Sequence, residues 1–323
     1  MNSLKNYFKL LFVPALCLIL ITAAGCNKEN SVTESSSTEN EYIQNEAIQS
    51  TDGSNDDDNE ILGNETLDFE SEGAVADIGF DSLKMYGRRI TGVTTSVTFT
   101  VDTDTLKTVA VKRTITGNFI IKGYIGAGLD SVSKPYVQEQ IRTAAFKRVA
   151  RTNSHRRNWK LFQVSAVDGQ TTSPQAGKSN ITMTKIEVYK NSNLVLTLNG
   201  PDFTTNVFTT RFLNGDGIVK LNRGDNVRVK VFATSNQSDT DIVAFHWARN
   251  SFGFHRVPFT MTSQTQVGAN YDRTYEKTFT IYSAHRLGIF NSYISANTRN
   301  SIWSNSTGLF SSTYAGMPYR ISF

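Results

Sequence analysis

From Ser82 to the C-terminus the chain repeatedly alternates apolar and polar residues with a period of two, a spacing that suits pleated strands and not helices. Val97, Phe99 and Val101 point one way while Thr98, Thr100 and Asp102 point the other, and Val227, Val229 and Val231 alternate with Arg228 and Lys230. Leu194, Leu196 and Leu198 repeat the pattern, as do Tyr319, Ile321 and Phe323. Such segments read as half-buried strands. Turn-forming runs punctuate them: Asp168-Gly169, Asn199-Gly200-Pro201-Asp202, Asn214-Gly215-Asp216-Gly217 and Asn222-Arg223-Gly224-Asp225. Strands at this cadence, without interleaved helices, predict an all-β fold of antiparallel β-sandwiches. The polar run Gln170 to Asn180, with Pro174 and Gly177, sets a boundary between two sandwich-like domains, 82–172 and 179–323. One larger sandwich with a long connecting loop stays open as the alternative.

One stretch departs from the period. Val137, Ile141, Ala145 and Val149 recur every fourth residue, and Gln, Glu, Arg, Ala and Lys dominate around them, so an amphipathic helix is expected from about Tyr136 to Arg151. The same residues also fit one face of a long strand.

Charge is segregated along the chain. From Asn27 to Asp81 there are sixteen acidic residues against one basic residue, Lys28, a formal charge of −15. Ser, Thr and Asn fill the remainder and aliphatics are few, so residues 26–81 are expected to be a disordered, self-repelling tether. From Ser82 onwards thirteen acidic residues face thirty Lys and Arg, giving +17, which the whole-chain value of +4 hides. Asymmetry of this size speaks about partners more than about fold. Acidic polysaccharide, phosphorylated headgroups, nucleic acid and the chain's own tether are all acceptors of the right sign. The basic residues are densest between Lys134 and Lys160, and Arg142, Lys147, Arg148, Arg151, Arg156, Arg157 and Lys160 are the candidate anion-binding residues.

The N-terminus supplies an address. Lys5 and Lys9 precede an apolar core from Leu10 to Thr22, and small residues then lead to a cysteine: Ala23, Ala24, Gly25, Cys26. This segment resembles the lipobox of bacterial lipoproteins, with Ala23 where leucine is more usual. The resemblance implies cleavage of signal residues 1–25 after Gly25 and acylation of the Cys26 sulfur, which would anchor the mature chain to a membrane almost irreversibly. Asn27 after the cysteine carries no inner-membrane retention cue, so an outer-membrane location, periplasmic or surface-exposed, is the expectation. Cys17 lies inside the signal, which leaves no cysteine pair for a disulfide or a thiolate metal site.

Lys220 to Trp247, where a glycine-aspartate turn leads into the alternating valine strand, resembles part of an immunoglobulin-like module of bacterial surface proteins. That implies a sandwich and says nothing of a ligand. Tyr319 to Phe323 is similar to the terminal aromatic strand of outer-membrane barrels, a reading the lipid signal and the tether oppose.

The chain has no HExxH, GxSxG or Walker motif, and no cofactor or metal is expected. Asp168, Asp202, Asp216, Asp225, Asp239 and Asp241 fall mainly in expected turns, where aspartate caps backbone. Arg223-Gly224-Asp225 spells an integrin-type tripeptide that a tight turn explains as well. His246 and His255, nine residues apart, could meet across a strand and turn. Together with Trp159, Trp247, Arg249, Trp303 and Tyr314 they make up a candidate aromatic and polar patch. The sequence therefore points to a non-enzymatic, lipid-anchored envelope protein that binds an anionic polymer or glycan. A carbohydrate-active enzyme and a structural accessory of an outer-membrane complex stand as alternatives, and the oligomeric state is open.

Overall fold

A computed structural model describes residues 38–52, 81–209, 218–250 and 253–322. The expected lipobox and most of the expected tether lie outside these residues, as do the run Asn214 to Gly217 and Phe323. The fold is all-β: two sheets form a β-sandwich, and every strand pair among the described residues is antiparallel except one.

In chain order the strands are β1 (Ser82–Asp102), β2 (Leu106–Ile125), β3 (Gly128–Arg148), β4 (Trp159–Ser165), β5 (Val167–Ser173), β6 (Ile181–Lys190), β7 (Asn193–Asn199) and β8 (Val207–Thr209). They continue with β9 (Val219–Asn222), β10 (Asn226–Ser235), β11 (Ile242–Asn250), β12 (Gly253–Pro258), β13 (Thr260–Val267), β14 (Asn270–Thr280), β15 (Gly288–Asn297) and β16 (Ser312–Ser322). The larger sheet runs β1-β2-β3-β5-β16-β15-β11-β12, with β4 paired to β3, β8 paired in turn to β4, and β9 lying parallel to β16. The smaller sheet runs β13-β14-β10-β6-β7. Val227, Val229 and Val231 are buried as their alternation requires and meet Phe245, Met317 and Tyr319 of the larger sheet.

The larger sheet curls on itself. β1 opens it and β12 ends it, yet Arg88 on β1 donates to the Tyr293 hydroxyl on β15 at 2.8 Å, and the Arg256 guanidinium on β12 lies 4.0 Å over the Tyr86 ring on β1. A bulge between Ile90 and Gly92 bends β1 opposite Gly117. A Cβ at Gly117 would stand 2.5 Å from the Arg89 carbonyl and 2.9 Å from the Tyr136 hydroxyl, so only glycine allows the close approach. Short helix α3 (Arg299–Trp303) and the segment after it close one end of the curl, where Ile302, Trp303 and Phe310 pack on Leu83, Phe119 and Ile121.

The structure departs from the sequence reading in several places, each for a physical reason. The expected helix Tyr136–Arg151 is strand β3 as far as Arg148, paired with β2 along its whole length. Fourfold spacing is a multiple of two, so it suits a strand as well, and a twenty-residue ladder outweighs a weak helix preference. The buried face is also the opposite one: Lys134, Tyr136, Gln138, Gln140, Arg142, Ala144 and Phe146 point inward, while Ile141 and Val149 are exposed.

The boundary at Gln170–Asn180 is not a domain boundary. β5 bonds β3 on one side and β16 on the other, which joins early and late residues in one sheet, and residues from Ser37 onward form one compact unit. Asp168-Gly169 accordingly sits within a strand and not in a turn, and Leu194, on edge strand β7, is exposed.

Part of the expected tether is folded. Helix α1 (Glu39–Asp52) buries Ile43 and Ala47 completely. Thr38 Oγ1 accepts from the Glu41 amide at 3.3 Å, and a Glu41 carboxylate oxygen accepts from the Thr38 amide at 2.7 Å. This reciprocal cap starts the helix at Thr38-Glu39-Asn40-Glu41. Two apolar residues four apart then give the short helix a face to dock, which contributes about 2 kcal/mol for the isoleucine.

Candidate functional site

The basic residues singled out in sequence divide three ways. Arg142 points into the curl, where its Nε donates to the Ser165 carbonyl at 2.9 Å, so it is not part of an exposed patch. Arg148 and Arg151 are engaged by acids. Arg148 pairs with Glu39 and, at 3.0 Å, with Asp104; Arg151 pairs with the other Asp104 oxygen. Lys147, Arg156 and Arg157 are exposed, while Lys160 is half-buried and donates to the Arg156 carbonyl at 2.8 Å. Lys147 and Lys160 are direct cross-strand partners on β3 and β4, an arrangement of like charges that destabilises a sheet. Arg156 and Arg157 lie beside them on short helix α2 (His155–Asn158). Among the described residues, no carboxylate comes within 4 Å of these four cations.

Next to this basic rim sits an occupied anion seat. Trp159 is buried and its indole Nε1 donates to Glu39, while Arg148 and Lys107 lie over the ring at 4.8 and 5.4 Å. Lys107 also donates to Asn40 Oδ1 at 2.7 Å and pairs with Asp102, whose carboxyl it holds below the usual range. The acidic segment thus places one of its own carboxylates on the basic body. Glu39 is a site residue that the sequence reading missed, and the capping box beginning at Thr38 was the available signal.

The candidate aromatic patch does not assemble as one surface. Trp159 and Trp303 are core residues, and His246 and Tyr314 are buried inside the curl. The β11–β12 register pairs His246 with Arg256 and Trp247 with His255, so the two histidines are not opposite each other. The side chains of Trp247, Arg249 and His255 lie outside the described residues.

His246 and Tyr314 instead belong to a buried polar belt across the curl. The His246 ring stacks on Tyr293 at 4.1 Å, and its Nε2 lies 3.0 Å from Ser295 Oγ. Arg88 donates to Gln138 Oε1 at 2.9 Å and covers the Tyr314 ring at 4.8 Å. Gly169 leaves room for this packing: a Cβ there would stand 3.2 Å from Gln140 and 3.3 Å from Tyr314. Deeper in the curl, burial pushes the Arg113 guanidinium down to about 10 and the Lys134 ammonium down to about 7. Lys134 donates to the carbonyls of Asn300, Ser301 and Leu309 at 3.1, 2.8 and 2.8 Å, tying α3 to β3.

The aspartates mostly serve structure. Asp202 accepts from the amide and hydroxyl of Thr204, and Asp241 forms a fully buried ion pair with Arg273 at 2.5 Å. Asp168 pairs with Lys178 at 2.5 Å, and burial first, then nearby Asp202, raises its carboxyl overall. Asp225 of the Arg-Gly-Asp run is buried, where it accepts from the Asn222 amide and pairs with Lys190 at 2.8 Å, while Gly224 takes φ +84° to close the turn. The tripeptide is therefore a structural turn.

Among the described residues, no cluster of three His, Cys, Asp or Glu could hold a metal ion, and no helix is long and apolar enough to cross a membrane. No family model, curated protein or solved structure matches this chain.

Proposed function

We propose that the chain is a lipid-anchored envelope protein whose β-sandwich body binds an anionic surface polymer or glycan without transforming it. The observation that carries this reading is the opposed pair Lys147 and Lys160 with Arg156 and Arg157 beside it. Like charges held in cross-strand register cost stability unless an external anion offsets them. The docking of Glu39 on Arg148 beside this rim supports it, because the surface already accepts a carboxylate. Acylation of Cys26 would hold the body at the membrane, and polymer binding would fall with salt as counterions compete.

The test is retention of the full mature chain on an immobilised acidic polysaccharide across a salt gradient. The triple variant Lys147→Glu, Arg156→Glu and Arg157→Glu should elute at markedly lower salt, with its unfolding free energy changed by only about 0.5 kcal/mol per site. Identical elution of variant and wild type would remove the rim from the mechanism. Mass spectrometry of the native protein tests the anchor independently, as a diacylglyceryl-modified Cys26 at the mature N-terminus.

A further inference from the structure

We propose that the seat filled by Glu39 is the body's subsite for a carboxylate of the anionic polymer, that this carboxylate belongs to a uronic acid, and that helix α1 covers the seat in cis as a displaceable stand-in. The inference rests on the polymer-binding reading above and adds to it a ligand class and a regulation. Three groups build the seat. The Trp159 indole Nε1 and Arg148 Nη2 both donate to one oxygen of the Glu39 carboxylate, and Lys107 Nζ lies 3.9 Å from the other. Trp159 is buried, and the side chains of Lys107 and Arg148 are only 6% and 15% exposed, so the seat is a recess and not a surface contact. Two cations at that depth favour an anion in the recess whether or not α1 supplies it.

Glu39 fills the seat incompletely. Its carboxylate engages Arg148 through Nη2 alone. Nη1 pairs with Asp104 at 3.0 Å, and Nε, on the same edge of the guanidinium as Nη2, is buried with no hydrogen-bond partner among the described residues. A carboxylate that was not carried on a helix would take Nε and Nη2 together, the parallel pair of bonds that arginine offers. α1 also competes from a weak position, because a helix of fourteen residues is marginal by itself and this one docks by Ile43 and Ala47.

The seat adjoins the basic rim in register. Arg148 pairs directly with Trp159 across β3 and β4, and the next pair along is Lys147 with Lys160. One residue turns the side chains to the other face of the sheet, but both pairs stand where β3 ends and β4 begins, so a polymer crossing that edge meets both. Three residues after Glu39, and so on the same side of α1, the Tyr42 ring stacks on His155 of α2 at 6.2 Å. A carboxylate with a ring on a stacking platform beside it is the outline of a uronic acid.

The test is hydrogen exchange of the full mature chain with saturating sodium polygalacturonate at constant ionic strength. Exchange at the α1 amides should rise by about tenfold or more while β3 and β4 stay protected. Glu39→Gln, which removes the competing charge and leaves the rim intact, should bind the polymer about tenfold more tightly. Methyl-esterified polygalacturonate should produce no release of α1. Binding with α1 still protected, or unchanged affinity in Glu39→Gln, overturns the stand-in and leaves the rim as a polymer site. Equal release of α1 by dextran sulfate overturns the assignment to a carboxylate. Absence of binding in wild type and variant alike overturns both this inference and the reading beneath it. Should the variant fail to fold, exchange in the wild type decides.

Discussion

β11, β15 and β16 present two faces, and both are buried. On one face Phe245, Ile294, Ala315 and Met317 meet the valines of β6 and β10 across the sandwich; on the other, His246, Tyr293, Ser295 and Tyr314 face the inside of the curl, toward β1 and β3. A step of one residue along each strand separates an apolar interior from a polar one. Alternation of apolar and polar residues is ordinarily read as one buried and one solvated face. In these strands it records two interiors of different chemistry, because the sheet curls far enough to cover its own polar side.

The apolar face should respond most strongly to substitution. Phe245 is buried and stacks on Phe279 at 5.3 Å, so Phe245→Ala should lower the unfolding free energy by about 3–5 kcal/mol in urea titration. A loss below about 1.5 kcal/mol would mean that the two sheets do not rely on close packing here. On the polar side, Arg88→Met removes donors to Gln138 and Tyr293 and strands their oxygens. The expected loss is smaller, about 1–3 kcal/mol. A gain in stability would mean that the belt is dispensable for folding and is kept for another reason.

A third test is a slope with pH. Lys134 is completely buried, and its ammonium sits at about 7 in the fold against 10.5 in an unfolded chain. Between those values the unfolded state binds more protons, so this lysine makes stability rise as pH increases from about 7 toward 10.5. Subtracting the pH profile of Lys134→Met from that of the wild type isolates the contribution. A flat difference across that window would show that the three carbonyl acceptors hold the charge as well as water does.

Much of the body was legible from its local pattern. β10 alternates as read, Asn222 to Asp225 forms the expected turn, and Asp202 caps as turn aspartates do. What misled was degeneracy. The fourfold spacing around Ile141 satisfies a helix and a strand alike, and the apolar residues it marks lie on the outer face of β3. The candidate site was legible in part: the density of cations was real, but Arg142 turns inward and Arg148 is met by Glu39, a residue more than a hundred positions away. Composition alone hid α1, because ten polar or charged residues mask the pair Ile43 and Ala47 that docks it.

By itself the sequence determined the period, the turns, the break in composition and the sign of the charge on each part, since those depend on neighbours within a few residues. Only the tertiary structure decided which face of β3 is inside, that β5 joins both halves into one sheet, and which cations remain exposed on the rim. Those outcomes depend on pairings across more than a hundred residues, where the free energy of closing a curl and filling its interior outweighs any local preference.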